Sequence, residues 1–538
     1  VTATGLRRIF SRTTVGAALF VLAFVPAAAS AAPQGPWQLP AANLSAAGQN
    51  ASSPQIAFAP DGTATAVWNR FNGTNDIIQA ATRPPGGSFA AAVGLSAAGQ
   101  NAGTPQIAFA PDGTATAVWT RLNGTNSIIQ AATRPPGGSF GAPVNLSVAG
   151  RNAFSPQISF GPDGTATAVW ARFDGANDVI QAATRPPGGS FGAAVDLSAA
   201  GQNAFSPQIA FAPDRTATAI WRRSNGANSI IQAATRPAGD AFGAAVDLSA
   251  AGGNAVGPQI GIATDGTPTA VWYRFNGTHN IVQAKTSIGA PVDLSGPGEN
   301  AVNPQIAFAP DGTATVVWYR FNGFDQIVQA ATRPSGESFG AAVDLSASGG
   351  DAVGPQISVA PDGTATAVWY RSNGTQNIVQ AATRPPGGSF GAVVDLSATG
   401  QTASDPEIRL APDGGATAVW TRSNGTNDII QAASTAQPRA RIGKVSVTGP
   451  ARVKRGKTSA YKVRIANSGD AQATGVRLVV TGRGIRINAP VGRIGAGATR
   501  TVNLRLRPSR TGRVKATFKV TSSNAGSRTV RKTITVRR

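Results

Sequence analysis

Along most of the chain, apolar and polar residues alternate in short bursts that Gly, Pro, Asn and Asp interrupt. The stretch around Trp68 sets the pattern. Gln55–Ala59 is a brief apolar run, and Pro60-Asp61-Gly62 follows with tight-turn chemistry. Thr63–Arg70 alternates with β-branched residues and ends at Asn72-Gly73, a hairpin signal. Ile77–Thr82 comes next, closed by Pro84-Pro85-Gly86-Gly87, and Phe89–Leu95 leads into a polar loop, Ser96–Thr104. No 3.6-residue apolar period survives such frequent punctuation, so the spacing predicts four strands and no helix.

The unit recurs. Its Trp68 returns as Trp119, Trp170, Trp221, Trp272, Trp318, Trp369 and Trp420, at intervals of 51 residues with one of 46. The short interval falls where Lys285-Thr286-Ser287-Ile288-Gly289 replaces the longer ATRPPGGSFG-type passage. Four strands repeated eight times predict an all-β chain whose body, residues 32–436, is an eight-bladed β-propeller with four-stranded blades. The last repeat drifts into a linker, 437–441, before its fourth strand. Pro36–Ser45 carries the missing pattern at the other end, so an N-terminal strand is expected to close the ring.

Composition changes this picture in two places. The chain contains no Cys, which removes disulfides, thiolate metal ligands and a thiol nucleophile. Its net charge of +22 is uneven, because residues 439–538 hold 25 Lys and Arg against one acid, Asp470. The repeats are mildly acidic, and the tail is a separate basic module. Residues 1–31 have basic Arg7, Arg8 and Arg12, an apolar core at Val15–Val25 and a small-residue cleavage site at Ala29-Ser30-Ala31. They read as a signal peptide, which implies a secreted or envelope-associated protein with no transmembrane anchor after removal.

Each repeated residue type has a structural reading beside a functional one. The Trp series is expected to fill the space between blades rather than to stack sugars. Asp61 and its equivalents are expected to cap turns rather than bind metal. The arginines two positions after each Trp, from Arg70 to Arg422, are expected to hold strand ends by bonding carbonyls or the Asp turns. Loops on the opposite face offer amides to a ligand, and Asn75, Gln100, Asn101, Asn126, Asn177 and Asn203 are the candidate binding residues there. Tyr273, Tyr319 and Tyr370 read as repeat variants, and Glu299, Glu337 and Glu407 occupy non-equivalent repeat positions. With no catalytic set, metal cluster or cofactor motif in view, the expectation is a binding and adhesion protein whose ligand is carbohydrate, and no enzyme.

The PDGTATAVW passages resemble secreted repeat proteins of actinobacteria and, more distantly, Asp-box propellers that include sialidases. The latter resemblance implies an arginine clamp with Tyr, Glu and Asp. Here Asp and Gly are adjacent, and Trp68 lies beyond the Asp-box position. A sialidase-like glycosidase is the alternative to a recognition platform, and an inert scaffold is the third reading.

In the tail, strands are expected at Lys444–Thr448, Thr458–Asn467, Thr474–Thr481, Thr499–Arg507, Gly512–Ser522 and Arg528–Val536, which make an immunoglobulin-like β-sandwich over 442–538. Asn467-Ser468-Gly469-Asp470, Ala473-Thr474-Gly475-Val476 and Gly495-Ala496-Gly497-Ala498 resemble the CARDB (cell-adhesion-related) family, whose modules act as spacers or adhesion units. Its charge exceeds what solubility needs. Anionic cell-wall or extracellular polymers are therefore the expected partners, through Lys454, Arg455, Lys457, Arg505, Arg507, Arg513 and Lys515. Nucleic acid is disfavoured because stacking aromatics are scarce. The chain is expected to act as a monomer.

Overall fold

The computed structural model describes residues 36–286, 289–435, 440–469 and 472–538. The expected signal peptide at 1–31 and most of the 437–441 linker lie outside these residues. The described residues form strands and turns, with no helix among them.

The first repeat folds as β2 (Ala51–Phe58), β3 (Ala64–Phe71), β4 (Asp76–Arg83) and a two-residue β5 (Val93–Gly94), hydrogen-bonded in that order. The next six repeats form the same antiparallel four-stranded sheet. In the eighth, Ala403–Leu410, Ala416–Ser423 and Asp428–Thr435 supply three strands, and β1 (Trp37–Asn43) adds the fourth from the N-terminal end. Trp37 pairs with Thr435 and Asn43 with Gln431. Gln431 Nε2 donates to Asn43 Oδ1 at 2.8 Å, the bond that Gln181 makes to Asp196 inside its own repeat. The expected strand complementation is thus present, with one slip of register between Gln38 and Ala42.

Two expected boundaries are wrong for one reason each. The first strand starts at Ala51, four residues before Gln55, because Ser52-Ser53-Pro54 does not break the ladder. Ala51 pairs with Arg70 and Ser52 with Asn69, after which the register slips to Gln55 against Val67. The bulge absorbs the proline, whose missing N–H falls where no ladder bond is needed. The fourth strand is only Val93–Gly94 and not Phe89–Leu95, because Phe89 turns away to pack against an arginine of its own sheet.

Packing between sheets explains the repeated residue types. The eight indoles of the repeats are fully buried. Trp119 packs with Val67, Ile78, Ala80 and Leu95 of the preceding sheet, and Trp68 packs with Val419, Ile430 and Ala432 of the eighth. The first sheet therefore meets the last through the same contacts that join consecutive sheets. Small Ala and Val neighbours let one large ring fill each interface.

The turns behave as expected. Asp61 Oδ1 accepts the Thr63 N–H at 2.8 Å, and the seven equivalent aspartates accept the backbone N–H two residues on. The following Gly62 sits at φ +86°, which glycine adopts without a Cβ penalty.

The arginine expectation needs correction. Arg70 and its equivalents lie at the end of the second strand away from the Asp turns, so they cannot reach them. Arg371 does bond carbonyls, Ala347 O and Ser348 O, and Arg320 instead pairs with Glu299 at 2.6 Å. The arginines that bind the sheets together are those ending the third strands. Arg134 lies over the rings of Phe109 and Phe140, with centroid distances of 5.6 and 5.3 Å, and donates to Thr82 Oγ1 of the preceding sheet at 2.6 Å. Arg83 makes the corresponding bonds across to Thr417 and Ser434 of the eighth sheet.

The C-terminal domain is a β-sandwich. Ile442–Thr448, Ser459–Asn467 and Thr499–Leu506 form a three-stranded sheet. Arg452–Lys454, Ser527–Arg537, Gly512–Thr521, Ala473–Gly482 and Ile485–Ile494 form a five-stranded one, in that order. Tyr461, Val463, Leu478, Val480, Phe518 and Ile534 pack between them. Two strands were not expected, Arg452–Lys454 and Ile485–Ile494. The second contains Asn488, Pro490 and Gly492, which read as a turn. It is an edge strand, where proline is tolerated. Asn467 ties the domain's loops together. Its Oδ1 accepts from the Arg441 and Gly469 N–H groups, and its Nδ2 donates to Ile494 O and Gly495 O.

Candidate functional site

A cavity of about 520 Å³ lies among the first strands of the sixth, seventh, eighth and first sheets. Its lining includes Gln55, Asn303, Tyr319, Gln356, Tyr370, Asp405 and Glu407. A larger cavity of about 800 Å³, at the other end of the same strands, is lined by all eight sheets. That one repeats a Phe-Ala-Pro pattern with Ile262, Val359 and Leu410 as variants, and its lining is mainly apolar.

The first cavity owes its chemistry to the bulge in each first strand. The residue before proline there has a left-handed backbone in every repeat, with φ from 50° at Thr104 and Asp405 to 63° at Gly257. Non-glycine residues held this way cost free energy and mark positions that the surrounding structure fixes. The bulge positions this residue and the one after proline at the cavity wall, as Ser53 and Gln55 do.

Here the repeats stop being copies. The residue after proline is Gln in seven sheets and Glu407 in the eighth, and the residue before it is Asp405 only there. Glu407 exposes 14% of its side chain, accepts a hydrogen bond from Gln55 Nε2 at 3.1 Å and lies 3.7 Å from Arg409. Burial pushes its carboxyl above the ordinary carboxylate range. Arg409 and Gln55 pull it back, while the charge of Asp405 adds to the rise.

Tyrosine follows Trp only in the fifth, sixth and seventh sheets. Tyr370 lies against Gly354, where a Cβ would come within 2.9 Å of the ring, while the sixth sheet carries Asn303 at the equivalent position. Burial raises the Tyr370 phenol, with Asp405 adding to it. Burial also raises Tyr319, beside Tyr273 and Tyr370. Tyr273 does not line the cavity and keeps the reading of a repeat variant. Tyr319 and Tyr370 share one cavity with the two acids. The signal was present in the sequence as departures from the repeat, and it is visible only once the repeats are aligned on the proline.

The loop residues expected to bind a ligand lie elsewhere, and most take part in loop bonding. Asn101 Oδ1 accepts from Asp76 N at 3.0 Å and Asn75 Nδ2 at 3.2 Å, and Asn203 Oδ1 accepts from Asp178 N at 2.8 Å. The backbone N–H groups of Asn75, Asn126 and Asn177 donate to Asn72, Asn123 and Asp174. Gln100 is partly exposed beside Asn101. Of the basic residues expected to meet polymers, Lys454, Arg513 and Lys515 lie in the five-stranded sheet. Arg505 belongs to the three-stranded sheet, Arg507 follows that strand, and Arg455 and Lys457 lie in the connection after Arg452–Lys454.

Residues 441–526 match the CARDB family model. The chain thus carries a C-terminal CARDB domain. No curated protein sequence matches. Among solved structures, the chain is similar to an ulvan lyase, a polysaccharide lyase bound to a GlcA–Rha3S saccharide, at 8% identity and a TM-score of 0.42, over 75% of this chain and 94% of that one. It is similar to the endo-arabinase of Bacteroides thetaiotaomicron at 14% identity and a TM-score of 0.28, over 42% and 92%. The CARDB domain of a Pyrococcus furiosus protein matches at 19% identity and a TM-score of 0.16, over 19% and 89%.

The expectation that this chain is no enzyme does not stand. That expectation rested on the absence of a catalytic set, and the cavity at Glu407 gathers two acids and two tyrosines that depart from the repeat. Among the described residues no arginine lines this cavity, so the arginine clamp of the sialidase resemblance has no counterpart there.

Proposed function

We propose that the eight sheets are the blades of a closed propeller and that its cavity at Glu407 cleaves glycosidic bonds. The observation that carries this reading is the replacement of a recurring glutamine by the largely covered Glu407, in the cavity that also gathers Asp405, Tyr319 and Tyr370. Cleaving an acetal needs a proton donor that stays protonated near neutral pH and a second carboxylate of different environment. Glu407 gives its proton to the leaving oxygen as the C–O bond breaks. Asp405 takes a proton from the water that adds to the sugar carbon. The amides of Gln55, Gln356 and Asn303 offer both donors and acceptors to sugar hydroxyls.

Glu407→Gln is a well-controlled test, because it installs the residue that the other seven sheets carry. The full chain is incubated with a panel of neutral and acidic polysaccharides, and new reducing ends are measured. The wild type releases them, and Glu407→Gln loses at least about 100-fold in rate, as expected for removing general-acid catalysis. An unchanged rate in the variant ends this reading.

A further inference from the structure

The basic residues of the CARDB domain are not spread evenly over its two sheets. In an antiparallel ladder, residues directly opposite one another share a face. The register places Lys515 beside Thr533, Lys519 beside Thr529 and Val479, and Arg531 beside Thr517. Arg513 lies beside Thr535, and Arg477 beside Thr521. Arg452 and Lys454 extend the same face on the parallel edge strand, opposite Thr535 and Arg537. The alternate residues, Val514, Ala516, Phe518 and Val520, are buried. The outer face of the five-stranded sheet is therefore a field of exposed Arg and Lys interleaved with Thr, and its strands contain no acid. The three-stranded sheet is sparser, with Lys444, Lys462, Arg464, Arg500 and Arg505 as the Lys and Arg of its three strands.

We propose that this five-stranded face is a docking surface for a linear acidic polysaccharide, whose carboxylate or sulfate groups meet the cations while its hydroxyls meet the threonines. Charge complementarity selects a polyanion. Three features select the polysaccharide among polyanions. Both aromatic residues of the domain, Tyr461 and Phe518, are buried, so nucleobases have no stacking platform. Among the described residues of the domain no large apolar side chain is exposed, so nothing on the face enters a bilayer. The ten-residue Gly512–Thr521 strand gives a face about 33 Å long, suited to an extended chain rather than to a single small anion. This inference rests on the CARDB domain alone and is independent of the cavity at Glu407.

The test immobilises polygalacturonate and dextran sulfate and measures binding of the full chain across a salt series. Single-stranded DNA, polyphosphate and phosphatidylglycerol vesicles are run alongside. One variant carries Arg513→Gln, Lys515→Gln, Lys519→Gln and Arg531→Gln. Another removes equal charge from the other sheet, by Lys444→Gln, Lys462→Gln, Arg464→Gln and Arg505→Gln. The first is expected to weaken polysaccharide binding at least about tenfold and to flatten its salt dependence, and the second to change it less than about threefold. Unchanged melting of both variants excludes misfolding. Equal losses in the two variants, no loss in the first, or equally tight binding of DNA, polyphosphate or vesicles at matched salt would each overturn the proposal. Activity of the cavity plays no part in the readout, so failure of either reading leaves the other intact.

Discussion

Glu407 distinguishes the eighth repeat from the other seven, and its protonation links the cavity to stability. Its carboxyl titrates higher in the folded chain than in the unfolded one, chiefly through burial. The folded state therefore holds this proton more tightly, so the group stabilises the fold when protonated at low pH. That contribution is lost as pH rises through the folded value. The amide of Glu407→Gln mimics the protonated form at every pH. Glu407→Gln and the wild type should melt together below the ordinary glutamate range, and the variant should melt higher as pH rises above it. A difference independent of pH would mean that the proton is not held by the fold. A second residue also departs from its repeat. Arg215 stands where the other turns carry Gly, at φ +75°. Arg215→Gly relieves a left-handed side-chain conformation and should stabilise the protein by about 0.5–1 kcal/mol, read from urea denaturation. A destabilised variant would show that the Arg215 side chain makes a contact worth more than the strain.

Between residues and sheets, the recurring device is an arginine held between two phenylalanine rings and bonded to the previous sheet. Burial draws the Arg134 guanidinium below its ordinary range, and Asp61 in the preceding turn offsets part of this. Arg134→Met keeps the apolar bulk and removes the charge and the bond to Thr82, which should cost about 2 kcal/mol. Thr82→Val in the Arg134→Met background should then add little, and a fully additive double mutant would mean that the two side chains do not act as a pair. Sequence reasoning recognised the Trp, the Asp turns and the strand order because each rests on local chemistry repeated many times. It missed this arginine because its hydrogen-bond partner in the preceding sheet is 52 residues upstream, as from Arg134 to Thr82, and only packing joins them. It misplaced the first strand because Ser-Ser-Pro is turn chemistry locally, whereas the ladder on either side overrides it. Glu407 was in view, yet its meaning depends on which sheets share a cavity, and the chain order alone does not supply that.

For the whole molecule, the decisive join is between the N-terminal strand and the eighth sheet. That sheet makes three strands from its own repeat and borrows β1, while Leu44 and Ser45 complete the interface beyond it. Leu44 packs in the cluster around Trp68, and Ser45 Oγ accepts the buried Ile430 N–H at 2.9 Å. Every other sheet keeps these residues within its own repeat, as Ser96 does for Ile78. Deleting 36–45 should therefore do more than remove a strand. It leaves the Asp428–Thr435 edge unpaired, strips Gln431 of Asn43, and opens a cavity at the Trp68 interface, where loss of one leucine alone costs about 2–5 kcal/mol. The truncated chain is expected to melt well below the full one and to self-associate through its open edge as concentration rises. Light scattering after size exclusion and thermal melting measure both effects. A synthetic peptide of residues 36–46 supplied in excess should restore the melting temperature, because it binds the folded chain and not the unfolded one. If the truncated chain melts as the full one does, the borrowed strand contributes nothing to stability. The first and eighth sheets would then be held together by the remaining contacts between them, such as Arg83, the Trp68 cluster and the Gln55–Glu407 bond.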